Sequence, residues 1–471
     1  MTPQEEGQKP LFIAEVRRHQ ERYEKLIQFT SSSTKAAAVM LLAAIAALII
    51  ANTDLHFGFS EFWNTEIGFS FGEFQRDMTL SHIINDILMA VFFLLVGLEI
   101  KYEMTVGELT NIRQALLPIV AAFGGVIFPI LIYTAFNADN PLTSHGWGVP
   151  TATDIAFVLG IMSLLGSRVP NGLKVFVTTL AVADDIIAIL IIAEFYGHSP
   201  SILWLLAVAV VTVSLVLLNR NYVYSLAPYI VLGIVLWYCV FMSGVHSTIA
   251  GVILAFTIPS GSRVNFSSFI DWTDRKVKAT SAMFDSSAPV IGQHVCLDTA
   301  TTLSNIARQA VPPAKRLEHM LYPWVYFAIL PLFALTNAGV RLIDGGMGDF
   351  LHDPALPGIL FGLLLGKPIG IVSFSFLVTK FKFASLPENV NWMHMIGGGI
   401  LGGVGFTMAI FVANLAFDSH EVVTTAKLAI LLASALAGLI GFLFLWQQAR
   451  KAKQLAMQLI QDEAEQSIDR S

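Results

Sequence analysis

The chain has 471 residues, of which 55% are apolar and 13% charged, about half the roughly 25% charged residues of soluble domains. That balance excludes a soluble enzyme and a disordered chain, and a net charge of −6 leaves no basic excess for nucleic acid. Two cysteines, Cys239 and Cys296, cannot build a disulfide framework, so the composition indicates a polytopic membrane protein.

Residues 1–33 are polar and carry Arg17, Arg18, Arg22 and Lys25, with no apolar core, so a secretory signal peptide is not expected. Within 11–29, Phe12, Ile13, Val16, Tyr23, Leu26 and Ile27 recur at helical spacing. They predict a short amphipathic helix, lying on the membrane surface or packed on the protein itself. Apolar runs then predict about twelve transmembrane helices, near 35–52, 82–100, 114–136, 149–165, 172–196, 201–219, 225–242, 245–259, 320–341, 357–380, 394–416 and 422–446. The fourth and eighth are short enough to be broken or buried segments. The expected fold class is therefore an all-α polytopic membrane protein, with a membrane domain over 34–448 and a C-terminal tail over 449–471.

Two connections stand out. Over 57–77, apolar and polar residues alternate around Asn64-Thr65, which predicts a small β-hairpin. Residues 260–312 form a long polar loop. Placing the N-terminus inside puts 23 of the 28 basic residues on the cytoplasmic side and only Arg76 and Arg341 outside, so both termini are expected in the cytoplasm. The hairpin is then extracytoplasmic and the 260–312 loop cytoplasmic.

The informative residues are charges inside spans. Asp184 and Asp185 sit mid-way along 175–196, Lys367 mid-way along 358–379, and Asp154 inside the short fourth span. Left charged and unpaired, the four would cost on the order of 10–14 kcal/mol. They must face a cavity, an ion or one another. Three carboxylates against one ammonium leave negative charge that calls for a cation or for protons. Neighbouring aspartates point about 100° apart on a helix, so one can bind an ion while the other pairs with Lys367. Hard cations take carboxylate and carbonyl oxygens, and protons compete for the same atoms. Broken helices would supply the carbonyls. Pro150, Thr151, Thr153 and Asp154 interrupt the fourth span, and the glycines of 397–405 precede Phe406-Thr407 in the eleventh. Those glycines serve packing equally well. Thr153 and Thr407 are each followed by Phe-Val at positions +4 and +5, a short trace of an internal repeat.

Several segments together resemble the NhaA-type sodium/proton antiporters. They are Asn85-Asp86, Val91-Phe92-Phe93-Leu94-Leu95-Val96-Gly97-Leu98-Glu99, Pro150-Thr151-Ala152-Thr153-Asp154-Ile155-Ala156-Phe157 and Ala183-Asp184-Asp185. Ser243-Gly244-Val245-His246, Leu317-Glu318-His319, Gly366-Lys367-Pro368 and Gly405-Phe406-Thr407-Met408 complete the set. The resemblance covers about 34–258 and 313–448. It implies inverted repeats of spans 3–5 and 10–12, with spans 4 and 11 unwound and crossing. It implies Asp185 as the main Na+ ligand and Asp184 as a second ion or proton carrier. Asp154 and Lys367 would offset the half-helix ends, with Lys367 also able to pair with Asp184, and Thr153 would be among the ion-binding residues. Asp86, Glu99, Glu103, His246 and Glu318 fall at positions the family links to a cytoplasmic funnel and a pH response. The hairpin matches the family's homodimer contact.

Two departures are specific to this chain. Tyr102 stands where the family usually has Arg, and about 50 residues are inserted near 260–312. His246 serves either as a pH-sensitive group or as a structural histidine. The activity so implied is Na+ (and Li+) export against protons by alternating access in a bacterial inner membrane, with no enzyme activity, organic cofactor, nucleotide or nucleic-acid partner. The alternatives are a sodium-coupled organic-anion symporter and a passive cation channel. A symporter would need a further buried cation for its anion, and a channel would need a ring of charges about a symmetry axis.

Overall fold

The structure, a computed structural model, describes residues 14–71, 74–107, 110, 112–197, 200–341 and 353–469. The polar N-terminal stretch forms α1 (Ala14–Thr30) and the first apolar run α2 (Ser33–Ala51). Phe29 at the end of α1 packs on Phe327 with ring centroids 5.4 Å apart, while Val16, Tyr23, Leu26 and Ile27 are exposed. Phe12 and Ile13 of the expected stripe lie outside the described residues.

The expected hairpin is displaced. Residues His56–Trp63 form a helix, α3, because Phe59 and Trp63 one turn apart pack edge to face at 5.8 Å. The strands follow it, β1 (Glu66–Phe71) and β2 (Phe74–Thr79), paired antiparallel from Glu66 opposite Thr79 to Phe71 opposite Phe74. Asn64-Thr65 therefore precede the hairpin and are not its centre; residues 72–73 lie outside the described residues.

The membrane helices follow: α4 (Leu80–Thr105), α5 (Ile112–Asn137), α6 (Ile155–Leu165), α7 (Asn171–Phe195), α8 (Ile202–Arg220) and α9 (Leu226–Ser243). A 3₁₀ segment, Ser144–Thr151, leads into α6 through three non-helical residues. The eighth predicted span is only α10 (Ile249–Thr257). Gly244 ends α9 in the left-handed region at φ 83°, and the turn that follows delays the next helix to Ile249. Nine residues reach about 14 Å, under half a bilayer core of about 30 Å.

The inserted loop is helical: α11 (Phe266–Ser281) and α12 (His294–Ala310) touch through Thr280 and Thr299, whose hydroxyl oxygens are 3.0 Å apart. Then come α13 (Pro313–Asn337), α14 (Ala355–Lys380), α15 (Trp392–Gly402), α16 (Phe406–Ala416) and α17 (His420–Asp469), which continues through the expected tail. Helices α15 and α16 meet at 44°. Among the described residues, ten helical segments are long and apolar enough to cross a membrane, with Ser144–Leu165 taken as one, or eleven if that bent pair is one span. This replaces the twelve read from the sequence, because α10 is too short.

Backbone groups in a lipid core must be satisfied within the chain, which is why the apolar runs are helical. One contact fixes the site. At Gly370 a Cβ would lie 2.0 Å from the Gly124 carbonyl oxygen, so α5 and α14 touch backbone to backbone. That contact, with a π-helical turn at Gly362–Gly366, sets where Lys367 emerges into the core.

Candidate functional site

The links before α6 and α16 lie against each other. Ala152 and Asp154 are extended, with ψ of 146° and 97°. The Asp154 N–H donates to the Val404 carbonyl at 2.8 Å, which ties one interruption to the other. Asp154 Oδ1 accepts from Phe157 N at 3.0 Å and so caps α6. Its Oδ2 accepts from Thr407 N at 3.2 Å and Thr407 Oγ1 at 2.5 Å, in the first turn of α16. One carboxylate thus caps two helix N-termini, whose partial positive charges favour an anion.

Lys367 is ion-paired with Asp184, and its Nζ also donates to Thr153 Oγ1 at 2.7 Å. Thr153 Oγ1 is 2.6 Å from Asp184 Oδ2 and 3.0 Å from the Gly402 carbonyl, the last of α15. Its single proton serves one of these acceptors at a time. Asp154, Asp184 and Asp185 are each 2% exposed and Lys367 is 0% exposed. Helix geometry alone left open which aspartate Lys367 would meet, while the family resemblance named Asp184; in the structure it is Asp184.

Asp185 is turned to a different side of α7. Its Oδ1, like Oδ1 of Asp184, is buried and has no hydrogen-bond donor. Asp185 lines a cavity of about 10 Å³ together with Glu99, Thr153, Asp154, Tyr326 and Thr407. That is close to the room one water-sized particle needs. A buried carboxylate oxygen without a donor is costly unless a cation or proton meets it. Carboxylate and hydroxyl oxygens suit a small hard cation. Among the described residues no group of three or more His, Cys, Asp or Glu is placed to hold a metal ion.

Of the other predicted residues, Glu99 joins this cavity. Glu318 lies at the end of the bundle beyond it and pairs with Lys315 at 2.5 Å. Lys315 Nζ also stands 4.8 Å over the Tyr102 ring, so a cation sits beside the position where the family's Arg is absent. Glu103 lines a separate groove with Lys174 and Thr178. Asp86 does not share the mouth with Glu99: thirteen helical residues separate them by about 20 Å, and Asp86 pairs with His82 at 2.8 Å. His246 also lies away from Glu318. Arg316 holds Tyr224 O at 2.8 Å near the start of α9, and His246 follows the far end of that helix. The sequence reading did not assign Thr407 and Tyr326 to the site. The echo of Thr153 at Thr407 was the available signal; Tyr326 had none.

The model of the family described as Na+/H+ antiporter 1 matches residues 27–445. The chain is 42% identical to a Na(+)/H(+) antiporter NhaA of Wolinella succinogenes, over 91% of this chain and 94% of that protein. It is 42% identical to one of Helicobacter pylori, over 91% and 96%, and 41% identical to one of Acidithiobacillus ferrooxidans, over 90% and 97%. A buried carboxylate site fits a family of ion exchangers, and this chain belongs to the NhaA family of Na+/H+ antiporters.

Proposed function

We propose that Asp185 is the exchange site, holding either Na+ (or Li+) or a proton. The observation that carries this is its buried Oδ1, which has no hydrogen-bond partner, on a side chain that lines a cavity with Glu99, Thr153, Asp154 and Thr407. Asp184 is the second proton carrier: protonating it releases Lys367, and deprotonating it restores the pair. Two carboxylates exchanging protons for one monovalent cation make the cycle electrogenic. Glu99, Glu103 and Glu318 shape access from the cytoplasmic end and its pH response.

Further parts of the reading rest on pattern. Helices α6 and α16 have eleven residues each, follow non-helical links and share one capping carboxylate, which supports inverted repeats around crossing broken helices. The excess of basic residues on one side supports a bacterial inner-membrane protein with both termini cytoplasmic. The hairpin β1–β2 is the homodimer contact.

Everted vesicles test the exchange. Adding Na+ should release protons without any organic solute, and the apparent Na+ affinity should rise with pH until the site is deprotonated. Asp185→Asn keeps the shape and removes the anion, so Na+ binding should vanish. Near-normal Na+ binding by that variant, or a pH-independent affinity in the parent, rules the shared carboxylate out.

A further inference from the structure

Three helices carry residues in the same order away from the ion cavity. The cavity takes Val96 from α4, Leu330 from α13 and Met408 from α16. One turn further along stand Phe93, Phe333 and Phe411, exposed 1%, 0% and 1%. Phe411 lies 5.4 Å from Phe93 and 6.4 Å from Phe333, centroid to centroid. Beyond them come Asn85, Asn337 and Asn414. Asn337 Nδ2 donates to Asn85 Oδ1 at 2.8 Å, and Asn414 Nδ2 donates to Asn337 Oδ1 at 2.8 Å.

Each layer draws one residue from each of the same three helices. On α13 the spacing Tyr326, Leu330, Phe333, Asn337 keeps all four on one face. A buried aromatic layer stops a hydrated ion, and a chain of amides bridging three helices holds them together. Asn85 also sits in a π-helical turn, Ile84–Leu88, a local irregularity that lets α4 change its winding there.

We propose that Phe93, Phe333 and Phe411, latched by Asn85, Asn337 and Asn414, form the gate closing the ion cavity at the end away from Glu318. An exchanger must break this seal each time its site faces that side. The amide chain is suited to that, since three neutral side chains can trade partners with water at little cost. Placing the gate outside rests on the orientation proposed above.

The test uses Leu330→Cys, a reporter beyond the gate, in a Cys239→Ala, Cys296→Ser background. An impermeant thiol reagent is applied to either face of sealed vesicles, with and without Asn337→Ala. Weakening the latch should speed labelling from one face by about tenfold and leave the other unchanged. Which face responds reports the orientation separately from the gate. Equal acceleration on both faces, as general loosening would give, overturns the proposal, and so does no acceleration. A second measurement cross-links Asn85→Cys to Asn337→Cys reversibly. Na+/H+ exchange should be lost and return on reduction in the same sample; exchange that persists while cross-linked overturns the gate. Labelling does not depend on Asp185, so failure of the shared-carboxylate reading would leave this result intact.

Discussion

Asp154 accepts hydrogen bonds from both the backbone and the hydroxyl of Thr407, 253 residues away in sequence. With the bond from Phe157 N, the carboxylate joins the starts of α6 and α16. Asn keeps one acceptor oxygen and turns an NH2 donor toward the other helix's donors, whereas Ala keeps neither acceptor. Asp154→Asn should therefore lose part of the capping stability. Asp154→Ala should lose about 1–3 kcal/mol, since it also strands the buried Thr407 donors. Thermal unfolding in detergent separates the two. An equal loss in both variants would show that the one acceptor oxygen kept by Asn contributes no capping.

Lys367 and Asp184 form a buried pair, and removing one partner of such a pair typically costs about 3–5 kcal/mol. Lys367→Ala should lower both stability and exchange, with Lys367→Arg and Lys367→His milder. Adding Asp184→Asn to Lys367→Ala removes the orphaned charge and should recover part of the stability, though not transport. Additive losses in this double-mutant cycle would mean that the two side chains are not energetically coupled.

Gly370 has no room for a side chain against the Gly124 carbonyl. Gly370→Ala must push α5 and α14 apart, with an overpacking cost of about 1–3 kcal/mol. Because α14 carries Lys367, exchange should fall by more than stability alone accounts for. The comparison is Na+/H+ exchange at a temperature where the variant is still folded. Normal exchange there would mean that Lys367 tolerates displacement of its helix.

The hairpin β1–β2 carries none of the ion-site residues. Deleting it should yield monomers that still exchange Na+ for H+. Size-exclusion chromatography with light scattering gives the mass, and the vesicle assay gives the activity. Folded monomers without exchange would assign the hairpin a part in transport.

Composition and apolar periodicity alone determined that this is a helical membrane protein. Charges inside spans marked Asp154, Asp184, Asp185 and Lys367, because a buried charge is expensive wherever it lies. Those signals are local, so one sequence suffices to read them. The tertiary structure decided what depends on distant partners. It assigned Lys367 to Asp184, left Asp185 facing the cavity, and brought Thr407 to Asp154 across 253 positions. It also shortened the eighth span to nine residues, because the turn after Gly244 interrupts an apolar run that reads as continuous. It turned 57–63 into helix, since an alternating pattern that short fits either period until packing chooses. Asn85, Asn337 and Asn414 carry no charge to mark them in the sequence. Only the packing of α4, α13 and α16 makes them one chain of amides, because hydrogen bonds between helices follow from which faces meet.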